Sequence, residues 1–267
     1  MKKDGHVHTP FCPHGTNDSL ELYIETAIQK GFTDLTFTEH APLPEGFVDP
    51  TPEQDSAMSR NEIERYLFVL QNLKKQYQGV INIHIGLEVD YIFGFEENIK
   101  QFLNDYGTLL DDGILSVHFL WINGSYYCLD FDEHTFALMI KLSGGIDNLY
   151  KLYYETVLKG IVSDLGKHKP KRIGHLTLIR KFQKRFPATF NEIPPIKTIF
   201  QEMSKRKMEL DVNTSGLRKA FCGEIYPSGD IVDLAKEKKI PLVYGSDAHC
   251  AKDVGSDYLL FEKMARP

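Results

Sequence analysis

The sequence lacks the features that would place it in several special classes of protein. No apolar run approaches the roughly 18 residues that a membrane span needs, and the N-terminal M-K-K-D-G-H contains no apolar segment of the secretory kind. The four cysteines, at positions 12, 128, 222 and 250, lie far apart and form no C-x-x-C pair. Because this spacing favours reduced thiols over a disulfide framework, we expect a cytoplasmic protein.

No run of basic residues stands out in the sequence either. Lys and Arg number 31 against 37 Asp and Glu, so the net charge is −6. Since binding to a nucleic-acid backbone requires clustered Lys and Arg, nucleic acid is not an expected partner. The acidic excess is compatible with an anionic small molecule as substrate, because bound divalent ions would reverse the local field.

Short apolar segments alternate with longer helical segments along the chain. The 267 residues contain no long linker, which favours a single domain over 1–267. Strands are predicted near 3–8, 34–40, 80–89, 113–119, 171–176, 207–213 and 240–246. Helices are predicted over Ser19–Lys30, Ser59–Tyr77, Glu96–Leu103, Ile146–Leu165, Pro195–Arg206 and Asp230–Lys238. Such alternation predicts β-α units and a parallel sheet. Seven units favour a closed or nearly closed barrel, with an open doubly wound sheet as the alternative.

Nine side chains of the types that bind zinc, manganese or iron lie at or just beyond the predicted strand ends. They are His6, His8, His14, His40, Glu88, His118, His175, Asp247 and His249. Cys12 and Cys250 adjoin this set, but we favour unligated thiols for both. A structural zinc site uses four ligands, so nine candidates indicate a polynuclear, catalytic centre. Clustered metal ions are typical of hydrolysis, most often of a phosphate ester.

Strand geometry predicts that these side chains meet in space. Side chains alternate along a strand, which puts His6 and His8 on one face together with Asp4, a candidate partner for an imidazole. In a β/α barrel, active-site groups gather at the carboxyl ends of the strands. His84 precedes Glu88 by four residues, or roughly 13 Å of strand, so we exclude it from the centre.

Six stretches of the sequence resemble the polymerase-and-histidinol-phosphatase (PHP) superfamily. They are D-G-H-V-H-T-P-F-C-P-H-G at 4–15, F-T-E-H-A at 37–41, G-L-E-V-D-Y at 86–91, G-H-L-T-L-I-R-K-F at 174–182, D-V-N-T-S-G-L-R-K at 211–219 and Y-G-S-D-A-H at 244–249. Together they extend over nearly the whole chain. The two stretches with an arginine resemble the histidinol-phosphate branch of the superfamily.

The resemblance implies a distorted (β/α)7 barrel of the TIM type, with a trinuclear metal centre at the C-terminal ends of its strands. One ion would be bound by His6, His8, Glu88 and Asp247. A second would be bound by Glu88, His118 and His175, with Glu88 bridging the two ions. A third would be bound by His14, His40 and His249. The ions would be zinc, manganese or iron, and mixed nitrogen and oxygen ligands do not choose between them.

The activity that the resemblance implies is hydrolysis of L-histidinol phosphate to L-histidinol and phosphate, a step of histidine biosynthesis. We hypothesise that a hydroxide bridging two ions attacks phosphorus. Asp247 is either the group that passes a proton or a metal ligand alone. Arg180 and Arg218 are predicted to clamp the phosphate, since the guanidinium fork suits bidentate contact.

Other interpretations of the same residues remain open. The centre could act on another small phosphoester, such as a nucleotide or sugar phosphate. Amide hydrolysis is less favoured, because no lysine lies at a strand end within a ligand stretch. The complete ligand set disfavours a metal-binding module without activity. The segment 121–170 would cover the barrel mouth, form a contact in a homo-oligomer or pack as an outer layer.

Overall fold

A sheet of seven parallel strands forms the centre of the computed structural model, which describes residues 2–266. In chain order the strands are β1 (Lys3–Val7), β2 (Asp34–His40), β3 (Asn82–Asp90), β4 (Ile114–Ser116), β5 (Phe119–Ile122), β6 (Ser125–Cys128), β7 (Arg172–Ile173), β8 (Glu209–Asn213) and β9 (Leu242–Gly245). The seven-stranded sheet has the order β1-β2-β3-β4-β7-β8-β9, and β5 and β6 form a separate antiparallel hairpin.

The first and last strands of this sheet also lie side by side. The His8 amide donates a hydrogen bond to Ala248 O at 3.0 Å, and the Asp247 amide donates one to His6 O at 2.8 Å. The sheet is therefore a nearly closed barrel. The predicted barrel is confirmed, and the open doubly wound alternative is wrong.

Helices connect the strands and cover the outside of the barrel. They are α1 (Leu20–Gln29), α2 (Ile63–Gln76), α3 (Glu96–Tyr106), α4 (Glu133–Leu142), α5 (Ile146–Val162), α6 (Ile193–Lys205), α7 (Gly229–Glu237) and α8 (Tyr258–Ala265). The six predicted helices correspond to α1, α2, α3, α5, α6 and α7. The elements α4, α8 and the β5–β6 hairpin are not among the predicted ones, and the strands of the hairpin are too short to carry more than two periods of an apolar pattern.

The hydrophobic core lies between the barrel and these helices. On β3, Ile83, Ile85 and Leu87 are buried, and they alternate with residues that face the barrel interior. Tyr66 of α2 fastens its helix to the sheet, because its hydroxyl donates to Gly86 O at 2.7 Å. The outward face of each strand is thus covered, which leaves the carboxyl ends free to carry polar groups.

The barrel interior is polar, and its lower part contains a buried ion pair. Arg172, at the start of β7, is 1% exposed, and its guanidinium lies 2.7 Å from Asp112 Oδ2. Gly5 leaves the space that this side chain occupies, since a Cβ at Gly5 would lie 2.3 Å from the guanidinium. His84 lies at the same, amino-terminal end, where its Nε2 is 3.2 Å from Asp34 Oδ1.

A β-bulge interrupts the regular alternation of β1. The pairing with β2 gains one residue between Asp4 and Val7, which changes the face on which the following side chains lie. Asp4 accepts hydrogen bonds from the amides of Ser246 at 3.0 Å and Gly255 at 2.9 Å, and not from an imidazole. The predicted role of Asp4 as a histidine partner is therefore wrong, because strict alternation does not hold here.

The segment 121–170 contributes to two parts of the fold. Residues at the end of the β5–β6 hairpin, Cys128, Asp130 and Phe131, line the cavity at the barrel mouth. In α5, Tyr153, Tyr154 and Ile161 are buried in the outer layer. Among residues 2–266, no helix is both long and apolar enough to cross a membrane.

Candidate metal centre

Glu88 lies at the centre of the polar cluster at the carboxyl ends of the strands. Its side chain is 1% exposed at the end of β3. Glu88 Oε2 lies 3.2 Å from His40 Nδ1, 3.4 Å from His6 Nε2 and 3.5 Å from His8 Nε2. Glu88 Oε1 lies 2.8 Å from His175 Nε2. One carboxylate therefore faces imidazoles from several strands.

His6, His8 and Asp247 form the first group of potential ligands. Asp247 Oδ1 lies 3.2 Å from His8 Nε2 and 3.8 Å from His6 Nε2. The group spans the seam between β1 and β9, because the histidines end the first strand and Asp247 follows the last. Together with Glu88, which lies beside it, this group supplies all four residues predicted to bind the first ion.

Glu88, His118 and His175 form the second group. The two imidazoles approach each other, with 3.2 Å between their Nε2 atoms. Ser116 fixes the shared carboxylate, since its hydroxyl donates to Glu88 Oε1 at 2.6 Å. Gly174 leaves room for this contact, because a Cβ there would lie 2.2 Å from Ser116 Oγ.

The third group contains a cysteine that the predicted set does not. Its members are His8, Cys12, His40 and His249. His14, which the sequence analysis placed here, is exposed, and its Nε2 lies 3.8 Å from Asp55 Oδ1. Its Nδ1 is 3.5 Å from the Cys12 thiol, and its ring lies 6.0 Å from that of His40. His14 thus borders the third group in this conformation.

Three buried carboxylates orient the imidazoles from the side opposite to the centre. His6 Nδ1 lies 2.9 Å from Asp211, His8 Nδ1 3.1 Å from Glu39, and His118 Nδ1 2.7 Å from Asp90. Such partners fix the ring and the tautomer of a metal-binding histidine. These roles were not predicted, although D-V-N, T-E-H and E-V-D each place a carboxylate near a strand end.

Several buried polar atoms at the centre have no hydrogen-bond partner among the described residues. They are His6 Nε2, His8 Nε2, His40 Nδ1 and Glu88 Oε2. Burying an unpaired polar atom costs about 1–3 kcal/mol, so four such atoms in contact indicate a missing common partner. Imidazole nitrogens and a carboxylate oxygen are suitable donors for a divalent metal ion. The residues present therefore fit a bound metal.

The electrostatics of the cluster agree with its burial. Burial alone would raise the pKa of Glu88, but the surrounding imidazoles, His6 first, hold it well below its usual range. Burial and the neighbouring His8 hold the pKa of His40 well below its usual range. Burial would lower the pKa of His6 and His8, but the neighbouring carboxylates raise it, well above the usual range for His6 and to about 9 for His8, so a metal ion would bind there in place of protons.

A cavity of about 590 Å³ opens above these groups. Three cationic side chains line it: Lys181, Arg218 and Lys219. Arg218 is held by Ser246 O at 2.6 Å. Arg180 does not line the cavity, because its guanidinium is paired with Glu192 at 2.7 Å and with Glu224 at 2.8 Å. The structure thus brings Arg218, and not Arg180, to the predicted position.

Asp247 is positioned by its backbone and by the strand next to it. It has a left-handed backbone, with φ of 52°, a conformation that aspartate tolerates better than most residues. Its Oδ2 accepts hydrogen bonds from Ser215 Oγ at 2.8 Å and from Asn213 Nδ2 at 3.2 Å. These contacts leave Oδ1 facing the two histidines of β1.

The fold and the site together define a parallel β/α barrel with a cluster of metal-type ligands at the carboxyl ends of its strands. The family model described as the PHP domain matches residues 4–215. A histidinol-phosphatase from Bacillus subtilis is 53% identical over 263 residues, with 98% of both chains covered. This chain belongs to the PHP family.

Two solved structures have the same fold. A candidate histidinol phosphatase from Listeria monocytogenes matches with a TM-score of 0.94 and 40% identity, over 97% of this chain and all of the other. The histidinol phosphate phosphatase of Lactococcus lactis, solved with zinc, L-histidinol and phosphate, matches with a TM-score of 0.73 at 20% identity, covering 100% of this chain and 94% of that one. At this identity the second match supports the fold.

Proposed function

We propose that this chain is a metal-dependent histidinol-phosphatase, which hydrolyses L-histidinol phosphate to L-histidinol and phosphate in histidine biosynthesis. The observation that carries the proposal is the arrangement of imidazoles around Glu88, under a cavity to which Arg218 and Lys219 contribute. The 53% identity to the Bacillus subtilis histidinol-phosphatase over the full chain supports the choice of substrate.

Three divalent ions would be bound by the three groups of side chains, with Glu88 shared between the first two. His6, His8 and Asp247 would hold one ion with Glu88, and His118 and His175 would hold the second. His40 and His249 would hold the third, together with His14 as the resemblance implies. Zinc, manganese and iron all suit this mixture of donors.

When bound, such ions activate water as a nucleophile near neutral pH and neutralise charge on phosphoryl oxygens. The side chains of the protein would then orient the phosphate ester and keep other groups away from the reacting phosphorus. Asp247 Oδ1 faces the centre, and its Oδ2 is fixed by Ser215 and Asn213. We assign Asp247 to metal binding and to holding a proton during the transfer between water and the leaving alkoxide.

The phosphate would be held by the cationic side chains of the cavity. Arg218 is the principal candidate, because its guanidinium offers several donors in a fixed plane. Lys219 lines the same cavity and would add positive charge, whereas Lys181 is paired with Asp130 at 3.1 Å. The phosphate contact predicted for Arg180 has no support in this geometry, since Glu192 and Glu224 already occupy its guanidinium.

The decisive experiment measures kcat/KM for phosphate release from L-histidinol phosphate beside a panel of nucleotide, sugar and aryl phosphates. The protein would be reconstituted separately with manganese, zinc or iron. A value near 10⁵ M⁻¹s⁻¹ or above, typical of an enzyme on its own substrate, and far above the panel supports the proposal. Slow turnover without discrimination between the phosphate esters would support a metal-dependent phosphoesterase and reject L-histidinol phosphate as its substrate.

The cytoplasmic location and the homo-oligomer expected from the sequence remain predictions.

A further inference from the structure

Tyr226 has a buried hydroxyl that the proposed reaction does not yet use. The residue is 1% exposed and lines the cavity above the metal-type ligands. Its hydroxyl has no hydrogen-bond partner within 2–266 that meets ordinary distance and angle limits. The Cys222 thiol lies beside it, but a thiol is a weak partner. Because Tyr226 lines the cavity and its hydroxyl lacks a strong partner, a group of the ligand is a candidate partner for that hydroxyl.

The ring of Tyr226 is held against the segment that carries Arg218 and Lys219. Gly216 allows this approach, because a Cβ there would lie 2.8 Å from ring atoms of Tyr226. The backbone of Tyr226 is bonded in both directions to Asn213 at the end of β8, each time at 2.8 Å. Asn213 in turn donates to Asp247. The ring is thus fixed against the segment that carries Arg218 and Lys219, at the wall of the cavity.

Arg180 holds the other side of the same segment. Its guanidinium contacts Glu224 at 2.8 Å and Ser228 Oγ at 3.2 Å, the residues that flank Tyr226 by two positions on each side. Glu192 pairs with the same guanidinium at 2.7 Å and connects it to the start of α6. Arg180 therefore clamps the segment 224–228 to the barrel wall without reaching the cavity.

We propose that the Tyr226 hydroxyl donates a hydrogen bond to a phosphoryl oxygen of the substrate, and that Arg180 is a positioning residue for it. The inference rests on the proposed phosphatase function. A phosphoryl oxygen is the partner that the surroundings favour, because Arg218 and Lys219 follow the glycine on which the ring packs. Burial raises the pKa of Tyr226 far above its usual range, so the group acts as a donor.

Tyr226→Phe tests the contact without disturbing the packing of the ring. We expect the inhibition constant of inorganic phosphate and KM to rise roughly 10- to 100-fold, the range for a lost hydrogen bond to a charged group. The same loss is expected with p-nitrophenyl phosphate, which lacks the histidinol part. Tyr23→Phe is the matched control, since Tyr23 is also buried with an unpartnered hydroxyl but does not line the cavity.

Two results would overturn the contact. Unchanged phosphate inhibition in Tyr226→Phe would show that the hydroxyl does not bind the phosphoryl group. A loss confined to L-histidinol phosphate would place the hydroxyl on the histidinol part. If L-histidinol phosphate is not a substrate at all, calorimetric titration of the metal-loaded protein with inorganic phosphate still tests Tyr226. The failure of the substrate assignment and that of the contact are therefore distinguishable.

The role of Arg180 is tested by a double-mutant cycle. Arg180→Met should weaken phosphate inhibition and raise KM without lowering metal content, and Arg180→Lys should restore part of the loss through Glu224. In the Tyr226→Phe background, Arg180→Met should add little, because both changes remove the same contact. Fully additive effects would reject the link between Arg180 and Tyr226.

Discussion

His6 Nδ1 lies 2.9 Å from Asp211 Oδ2, and both side chains are completely buried. The carboxylate belongs to β8, and the imidazole ends β1 on the far side of β9. Because the contact uses Nδ1, the other ring nitrogen is directed to Glu88 and Asp247. A residue outside the ligand set thus determines which nitrogen is offered to a metal.

Asp211→Asn should weaken metal binding by roughly 10- to 100-fold, as is usual when the partner of a metal-binding histidine is changed. The substitution keeps the size of the side chain but removes the charge that holds the His6 N–H. Titration of the metal-free protein with zinc, followed by calorimetry, measures the effect. Asp233→Asn on exposed α7 is the control, and equal affinities for the two variants would contradict the prediction.

Glu88→Gln should have a larger effect, because the carboxylate faces ligands of more than one proposed ion. We expect fewer metal ions per chain by elemental analysis and a decrease in kcat of at least roughly a thousandfold. Glu97→Gln changes an exposed glutamate of α3 and should alter neither quantity. Full metal content in Glu88→Gln would show that the carboxylate does not bridge ions.

Arg218→Ala should raise KM for a phosphomonoester by roughly 10- to 100-fold and leave metal content intact, because the guanidinium would bind phosphate and not metal. Steady-state kinetics with metal-loaded protein check this. Arg185→Ala provides the control, since the Arg185 side chain is 63% exposed and Arg185 lies outside the cavity lining. Equal KM values for the two variants would remove Arg218 from the phosphate site.

Arg172→Met should lower the free energy of unfolding by about 3 kcal/mol, the lower end of the range for a broken buried pair, since Asp112 loses Arg172 but keeps Lys3 Nζ at 2.9 Å. Urea denaturation measures the change, and kcat/KM of the folded fraction should be little altered because the pair lies at the opposite end of the barrel. Combining it with Asp112→Asn should recover part of the loss. A double variant no more stable than Arg172→Met would argue against the ion pair as the cause.

The sequence predicted the barrel and the positions of most ligands because both depend on local pattern. An imidazole or carboxylate after an apolar strand needs only strand polarity to reach the carboxyl end, as for His40, His118 and His175. The hydrogen-bond partners of Asp4 and Arg180 depend on structural details that the periodicity of the sequence does not predict. A single bulge in β1 changes the face on which Asp4 lies relative to the histidines. Arg180 is paired with Glu192 and Glu224, which lie in later segments of the chain.

The short elements were missed for a related reason. The strands of the β5–β6 hairpin have four residues each, too few for alternation to be distinguished from chance. The carboxylates Glu39, Asp90 and Asp211 were visible in the sequence, but their pairing with particular histidines requires the register between strands. Polar residues two positions from, or next to, a ligand at a strand end are the signal that could have found Glu39 and Asp90, whereas no predicted ligand lies near Asp211 in the sequence.

Because the metal-type ligands lie on both sides of the seam between β1 and β9, assembly of the site depends on the order in which the chain is synthesised. His6 and His8 precede Asp247 and His249 by almost the full length of the barrel, and are therefore made well before them. A nascent chain that has left the ribosome only as far as β8 still lacks a carboxylate and an imidazole of the cluster. The centre therefore becomes complete only when β9 joins β1, so that loading with metal would report that the barrel has closed.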